Sequence, residues 1–356
     1  MSIQLREHVP LAPYTTLGLG GPARYFHECT TEAELREALT AARERRLRVQ
    51  IIGGGSNLVV ADAGFPGLVL KVAMGGVTLR DAADGGDVVA GAGVEWDALV
   101  RQAVEGGWVG IECLSGIPGT VGATPIQNVG AYGQEIADTL VFVTCLERER
   151  MTPVTFTRDQ CEFGYRQSRF KARDRDRYVV LGVTLRLRRE LPRLRYAELE
   201  QAVRGSVDLK TLDLGDAVRV VRDTVLELRR RKSMVLDPTD PNRRSVGSFF
   251  VNPVLSTEAF EDLASRWRAS GMPDSIPTFP ADGRVKVPAA WLVEHAGFAK
   301  GHRRGGAGIS TRHALALVNH GGTTAELLAL AEEIERSVHE RFGIRLEREP
   351  VVVGLL

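Results

Sequence analysis

The 356-residue sequence predicts an α+β protein of two or three domains. Three features predict it. Strand and helix patterns are interleaved through the first part of the chain, in a strand–helix–strand order. A segment without a charged side chain, residues 113–134, then interrupts them. An Arg- and Leu-rich stretch with proline at 191–213 marks a domain junction, and a second set of helices and strands follows it.

The elements follow in order. Thr31 and Glu34 have capping-box spacing and open a helix with Leu35, Ala38, Leu39 and Ala42 on its apolar face. Residues 48–52 read as a strand that enters a tight glycine turn at 53–57, before a second apolar run at 58–60. Residues 69–72, 77–79 and 87–93 read as strands, and 95–105 as a helix stopped by Gly106 and Gly107. Beyond the uncharged segment, 139–147, 154–157 and 178–187 are β-branched or alternating and read as strands. The connector 163–170 holds three aromatic and three cationic or hydroxyl side chains in eight residues, which is unusual for a plain link. A helix over 216–231 turns Val218, Val221, Val225 and Leu228 inward, and three arginines and Lys232 close it to match its dipole. Pro238, Pro241 and Asn242 make a turn-rich loop, and 256–270 reads as a helix stopped by Gly271. A last helix starts at the Thr323/Glu326 box, buries Leu327, Leu330, Ile334, Val338 and Phe342, and stops at Gly343. Residues 344–353 read as a terminal strand containing Glu347, Glu349 and Pro350.

The uncharged segment carries five glycines and two prolines, a density that excludes a membrane-spanning helix. Gly116, Gly119 and Gly122 let the main chain approach a neighbour closely. Either the segment folds against a large, flat or phosphorylated ligand, or it is a glycine-rich structural loop. The turn at 53–57 lacks the G-x-G-x-x-G that opens a helix in a dinucleotide fold, yet its N–H groups suit a pyrophosphate.

Composition narrows the classes. Net charge is +1, so no global field draws the chain to nucleic acid. Arginine supplies 40 of the 46 cationic residues, interspersed with acids as on a solvated surface. Cys29, Cys113, Cys145 and Cys161 form no C-x-x-C pair and read as reduced, buried thiols of a cytoplasmic protein. The N-terminus lacks the apolar stretch of a secretory signal, and no run is long enough to cross a membrane. The seven histidines have no metal-ligand spacing, so no metal site is expected.

Six motifs, GLGGPARYF (18–26), IIGGGSNL (51–58), SGIPGTVGATPIQNVGAYG (115–133), FGYRQSRFK (163–171), GSFFVNP (247–253) and LEREP (346–350), occur in the order found in the UDP-N-acetylenolpyruvoylglucosamine reductase family. The chain resembles that family over nearly its whole length. RYAEL (195–199) and the GYR segment resemble the form with a tyrosine-bearing substrate loop. The resemblance implies a two-subdomain FAD-binding unit of the vanillyl-alcohol oxidase type, residues 1–70 and 71–213. A substrate-binding α+β domain follows at 214–356, with a terminal strand that returns to the active site. It further implies a cytoplasmic, monomeric flavoenzyme with small-molecule substrates and no membrane or nucleic-acid partner. NADPH would reduce non-covalent FAD, and UDP-N-acetylglucosamine enolpyruvate would become UDP-N-acetylmuramate for peptidoglycan.

The family match also implies residue roles. FAD would be held by Gly53, Gly54, Gly55, Ser56, Asn57, Ser115, Gly116, Ile117, Pro118, Gly119, Thr120, Gly122, Ala123 and Thr124, with Gln127, Asn128 and Gly130 beside them. Ser248 matches the proton donor, and Arg166 and Glu349 match the pair at the substrate carboxylate. Tyr165 matches the active site, and Tyr196, Lys232 and Asn252 match the positions that hold the UDP moiety. His295 stands in WLVEHAG where relatives with this loop have glutamine, at a position that resembles a substrate contact. Two rivals remain: another FAD-linked oxidase on the same scaffold, which leaves GSFFVNP and LEREP unexplained, and a non-enzymatic flavin or uridine-nucleotide binder, which has no need of Ser248 with Glu349.

Overall fold

The computed structural model describes residues 3–82, 84–269, 271, 275–281 and 283–355. The chain divides into two units. One comprises Met1–Val9, Ala23–Gly55 and Pro66–Leu236, the other Pro10–Pro22, Ser56–Phe65 and Asp237–Leu356.

In the first unit, helix α1 (Glu32–Glu44) begins at Thr31 with the predicted reciprocal cap. The Glu34 N–H donates to the Thr31 hydroxyl at 3.2 Å, and the Thr31 N–H donates to the Glu34 carboxylate at 3.3 Å. Its buried face is the predicted set of Leu35, Ala38, Leu39 and Ala42. A four-stranded sheet runs in the order Arg6–Pro10, Pro22–Cys29, Phe65–Val72, Val49–Ile52, its last pair parallel. An antiparallel sheet of five runs Thr152–Thr157, Leu140–Glu147, Tyr178–Arg188, Gly85–Gly91, Val77–Ala82. Helix α2 (Trp96–Glu105) buries Trp96, Leu99, Val100, Ala103 and Val104 in the core these sheets share. Leu99, Val100 and Val104 each contribute about 1.5–3 kcal/mol of apolar burial. Helices α3 (Ala197–Arg204) and α4 (Leu214–Arg231) form a smaller core with Cys113 and Tyr132. The predicted inward face of α4 is found, with Arg222 buried beside it.

In the second unit, strands Ser245–Ser248, Ala316–Asn319, Ala307–Ile309 and Arg303–Arg304 form one sheet in that order. Val254–Leu255, Arg284–Lys286 and Phe279–Ala281 form another. Helices α5 (Thr257–Ala269) and α6 (Ala289–His295) join α7 (Thr324–Phe342) in a single apolar core. The predicted end of the α5 helix at Ser270 lies outside the described residues.

Several expected bounds shift. Strand 69–72 begins earlier, at Phe65, and 77–79 extends to Ala82. Helix 216–231 starts at Leu214, because Asp213 caps it by accepting the Asp216 N–H at 2.8 Å. The terminal strand is much shorter than 344–353. Only Val351–Val353 pairs, in parallel, with Leu58–Val60. Pro350 has no N–H to offer a ladder, so the pairing before it is reduced to single contacts such as the bridge from Arg348 to Phe250.

The α7 N-terminus is capped from two sides. Thr323 accepts from the Glu326 N–H at 3.2 Å, the Glu326 carboxylate accepts from the Thr323 N–H at 2.8 Å, and Asp62 accepts from Thr324 and Ala325. Thr323→Ala should therefore lower unfolding stability by about 1 kcal/mol, the usual cost of a lost hydroxyl cap. Chemical denaturation of the two proteins side by side checks this, and coincident transitions would show that the cap adds nothing.

Candidate active site

The two glycine loops meet within the first unit. A Cβ on Gly53 would lie 2.6 Å from the Thr120 hydroxyl, and one on Gly54 would lie 2.8 Å from the Gly119 Cα. Neither loop tolerates a side chain there without moving the other. Among the described residues, the N–H groups of Gly54, Gly55, Ile117 and Gly119 meet no acceptor within the protein. Such groups, on main chain bare of Cβ atoms, are donors suited to an anionic ligand. These loops therefore fit the pyrophosphate of a flavin dinucleotide.

Side chains outside the loop hold it. Asp97 on α2 accepts the Gly116 N–H at 2.6 Å and receives both ends of the Arg222 guanidinium at 2.8 Å. Arg222 also donates to the Ser115 hydroxyl at 3.0 Å, and that hydroxyl donates to the Glu112 carbonyl at 2.6 Å. Burial pushes the Asp97 carboxyl up, but the Arg222 and Gly116 hydrogen bonds outweigh it and hold the group below the ordinary carboxylate value. Ser115 is fully buried, so its hydroxyl serves this brace. Thr124 is likewise turned inward, donating to the Val121 carbonyl at 2.8 Å. The Trp96 indole N–H donates to the Leu114 carbonyl at 3.1 Å.

Arg166 is at the tip of a tight turn. Gly164 and Gln167 exchange two main-chain hydrogen bonds at 3.1 Å, leaving Tyr165 and Arg166 between them. Arg166 adopts φ +55°, in the left-handed region, and stacks its guanidinium on the Tyr165 ring at 5.4 Å. Its Nη2 donates to the Gly130 carbonyl at 2.7 Å, which ties the turn to the uncharged segment. Asn128 makes a second tie: its amide donates to the Gly164 carbonyl at 3.1 Å and to Glu135 at 2.6 Å, and its oxygen accepts the Ala137 N–H at 3.2 Å. The Asn128 side chain, 1% exposed, is thus engaged inside the protein.

Tyr196 and Lys232 are brought to one place. Tyr196 is exposed and packs edge-on against Tyr132 at 5.4 Å. Lys232 ends α4, lies 5.8 Å from the Tyr132 ring and donates to Glu198 at 2.6 Å.

In the second unit, Gly247 (φ +74°) bends the chain between Ser245 and Ser248, where the pairing register with Ala316–Asn319 shifts. The two residues that follow, Phe249 and Phe250, are fully buried. Glu349 donates its N–H to the Phe249 carbonyl at 2.9 Å, and Val251 donates to the Glu347 carbonyl at 2.9 Å. Glu349 therefore lies opposite Phe249, the residue after Ser248. Asn57 donates its amide to the Glu349 carbonyl at 3.2 Å, and its own carbonyl accepts the Val351 N–H at 2.9 Å. Asn252 accepts the Ala289 N–H at 2.8 Å and so anchors the start of α6. His295 stacks on Trp291 at 4.2 Å, meets the edge of Trp267 at 5.1 Å, and places Nδ1 2.8 Å from the Trp291 carbonyl.

Four residues were missed from sequence. Asp97 and Arg222 are 125 positions apart and carry no shared motif. Glu198 sits inside RYAEL without a visible partner. Arg229 is buried, donates from Nη2 to the Gly116 and Met234 carbonyls, and its Nε meets no acceptor among the described residues. Burial pulls its guanidinium down to about 10. Cys113 is buried, and burial raises its thiol well above the ordinary value, so it is a poor nucleophile. Among the described residues no group of His, Cys, Asp and Glu is placed to hold a metal, and no helix is long and apolar enough to cross a membrane.

The chain is similar to known proteins over nearly its whole length. Residues 238–353 match the family described as UDP-N-acetylenolpyruvoylglucosamine reductase, C-terminal domain, and residues 23–149 match an FAD binding domain. A UDP-N-acetylenolpyruvoylglucosamine reductase from Thermobifida fusca is 48% identical over 363 residues, covering 100% of this chain and 99% of that protein. One from Mycobacterium tuberculosis is 43% identical, covering 99% and 96%. The crystal structure of UDP-N-acetylenolpyruvylglucosamine reductase from Thermus caldophilus aligns with a TM-score of 0.65 at 26% identity, over 99% of this chain and 100% of that one.

Asp97→Asn tests the brace. It leaves Arg222 without its counter-charge, and a buried polar partner left unpaired costs about 1–3 kcal/mol. The variant should melt earlier and retain less flavin after desalting. Because the folded Asp97 value is depressed, its contribution is complete above the ordinary value of about 3.9 and is lost as pH falls through the folded value. The stability gap between wild type and variant should be full at neutral pH and narrow in acid. A gap already zero at neutral pH would remove Asp97 from the loop's support.

Proposed function

The chain belongs to the UDP-N-acetylenolpyruvoylglucosamine reductase family, and on that premise we propose that NADPH is its reductant and that Arg166, Ser248 and Glu349 carry the chemistry. It is an FAD-dependent oxidoreductase that forms UDP-N-acetylmuramate by reduction, for peptidoglycan. Its substrates are small molecules, and we take the working form to be a cytoplasmic monomer. When bound at the glycine loops, FAD supplies the reducing equivalents for the enolpyruvyl double bond.

As the double bond is reduced, negative charge builds on the substrate carboxylate, giving an enolate-like species. Arg166 grips that carboxylate with its planar fork. A non-glycine residue in the left-handed region costs of order 1–3 kcal/mol, and the Arg166 turn is held in that strained shape by Gly130 and Asn128. Glu349 completes the carboxylate site. Pro350 confines its main chain to an extended form, and the Phe249 and Asn57 hydrogen bonds fix its position. Ser248 then gives its hydroxyl proton to the carbon. Serine is a weak acid, but a carboxylate enolate is a strong enough base to take that proton, and acid catalysis of this kind is worth ~10²–10⁴ in rate. What most supports this assignment is the pairing that sets Glu349 opposite Phe249, directly after the glycine bend at Ser248. A general flavin oxidase has no use for it.

Tyr196 and Lys232 hold the UDP moiety, Lys232 exchanging Glu198 for phosphate. Tyr165, Asn252 and His295 are further contacts, His295 through the ring nitrogen that does not face the Trp291 carbonyl.

An anaerobic colour experiment tests this. The yellow protein should bleach with NADPH and recolour with UDP-N-acetylglucosamine enolpyruvate. Ser248→Ala should bleach normally and recolour ~10²–10⁴ times more slowly, as expected for a lost general acid; wild-type recolouring would exclude Ser248 as donor. For Arg166→Ala, flavin content should stay intact while turnover falls. Loss of flavin instead would make Arg166 a structural or cofactor residue.

A further inference from the structure

We propose that His313 is the positioning residue for proton transfer from Ser248: it holds the serine oxygen through its Nε2–H and stabilises that oxygen as the proton leaves. This rests on the role given to Ser248 above. Both residues belong to the second unit.

His313 occupies the turn that leads into strand Ala316–Asn319, where the Ala316 N–H donates to the His313 carbonyl at 3.1 Å. That strand pairs with Ser245–Ser248, and Ala316 is the direct partner of Ser248. The Leu315 N–H donates to the His313 Nδ1 at 3.3 Å, so Nδ1 is an acceptor and carries no hydrogen. The hydrogen of the neutral imidazole is then on Nε2. Nε2 lies 3.5 Å from the Ser248 Oγ. This is long for a finished hydrogen bond, as catalytic contacts often are before substrate tightens them. Leu315 fixes the other side as well, since its carbonyl accepts the Phe249 N–H at 2.8 Å. One residue thereby aligns both the imidazole and the main chain that carries Ser248.

The arrangement has a direct chemical consequence. With Oγ accepting from Nε2–H, the serine hydrogen is directed away from the ring and toward an acceptor elsewhere. In the transfer, the Ser248 O–H bond breaks and a C–H bond forms on the substrate. The oxygen keeps the electron pair, and the Nε2–H bond to it strengthens as its charge grows. Nε2 keeps its own hydrogen, because losing it would leave an imidazolate. Water restores the serine hydroxyl after the product forms.

Three substitutions separate this from a merely structural role. His313→Leu removes the donor. His313→Gln places an amide N–H near the Nε2 position. His313→Asn reaches only as far as Nδ1. With Leu, flavin content, bleaching by NADPH and substrate KM should stay near wild type, while recolouring slows about 10- to 100-fold, the effect of one hydrogen bond to a charged group. Gln should recover most of that loss and Asn should not. In a Ser248→Ala background, His313→Leu should add nothing, because it acts only through the serine. Recovery by Asn but not Gln would assign His313 to holding Leu315 and overturn the proposal. A full further loss on top of Ser248→Ala would also overturn it. If Ser248→Ala recolours at wild-type speed, the serine assignment fails and this one with it. A slow Ser248→Ala beside a fast His313→Leu overturns His313 alone. Should His313→Leu lose its flavin, the Gln and Asn pair still decides.

Discussion

The bidentate pair between Asp97 and Arg222 is the interaction on which the order of the uncharged segment depends. The segment it braces has no charged side chain of its own and five glycines, so it has little with which to order itself. Order is imported. Asp97 comes from α2 and Arg222 from α4, and together they seize a main-chain N–H and a hydroxyl at adjacent positions, Gly116 and Ser115. An exposed pair of this kind contributes little. Here Arg222 is buried and Asp97 half-buried, and further hydrogen bonds to Ser115 and Gly116 support the pair, the condition under which a buried pair is worth keeping. Trp96 and Arg229 add two more holds from the same helices, at the Leu114 and Gly116 carbonyls. A loop whose N–H groups at Ile117 and Gly119 meet no acceptor among the described residues is thus gripped from behind at Leu114, Ser115 and Gly116.

A different device works in the second unit, where main chain rather than side chains sets the geometry. Gly247 supplies a bend that no other residue adopts without strain. The two buried phenylalanines after it lock the strand into the core, and truncating either costs roughly 3–5 kcal/mol. Glu349 is then placed by its own N–H on Phe249 and by Asn57 on its carbonyl. Both of these contacts are to its main chain, so the backbone of Glu349 is fixed independently of its side chain.

Much of this was legible from residues alone. Both capping boxes, the stop at Gly343 and the buried faces of α1, α4 and α7 form where local pattern put them, because caps and helical periodicity are short-range signals. Strand ends were less legible. The terminal strand shrank to three residues because Pro350 breaks a ladder whose partners cannot be seen in sequence. The small strands at 279–281, 284–286 and 303–309 escaped notice because they are two or three residues long and defined only by their partners. Of the positions proposed for the site, the glycine loops stand out in the sequence by composition and Ser248 and Glu349 by motif. The groups that hold them do not: Asp97, Arg222 and His313 act over long separations, and each on its own is an ordinary residue.

One pattern joins the three positions proposed to carry the chemistry. Arg166 lies at φ +55° at the tip of a two-residue turn, Ser248 follows a glycine at φ +74°, and Glu349 precedes a proline. In each case the backbone has little freedom left before the side chain begins. Transition-state stabilisation by a cation or a hydroxyl falls steeply with misplacement, and a donor already aligned needs no reorganisation at the moment of reaction. A long side chain such as arginine on a flexible loop would spread over many rotamers. The same side chain on a strained, doubly tied turn begins from a fixed origin. The strain at Arg166 is therefore best understood as the cost of that fixed origin, borne by the hydrogen bonds from Asn128 to Gly164 and from Arg166 to Gly130.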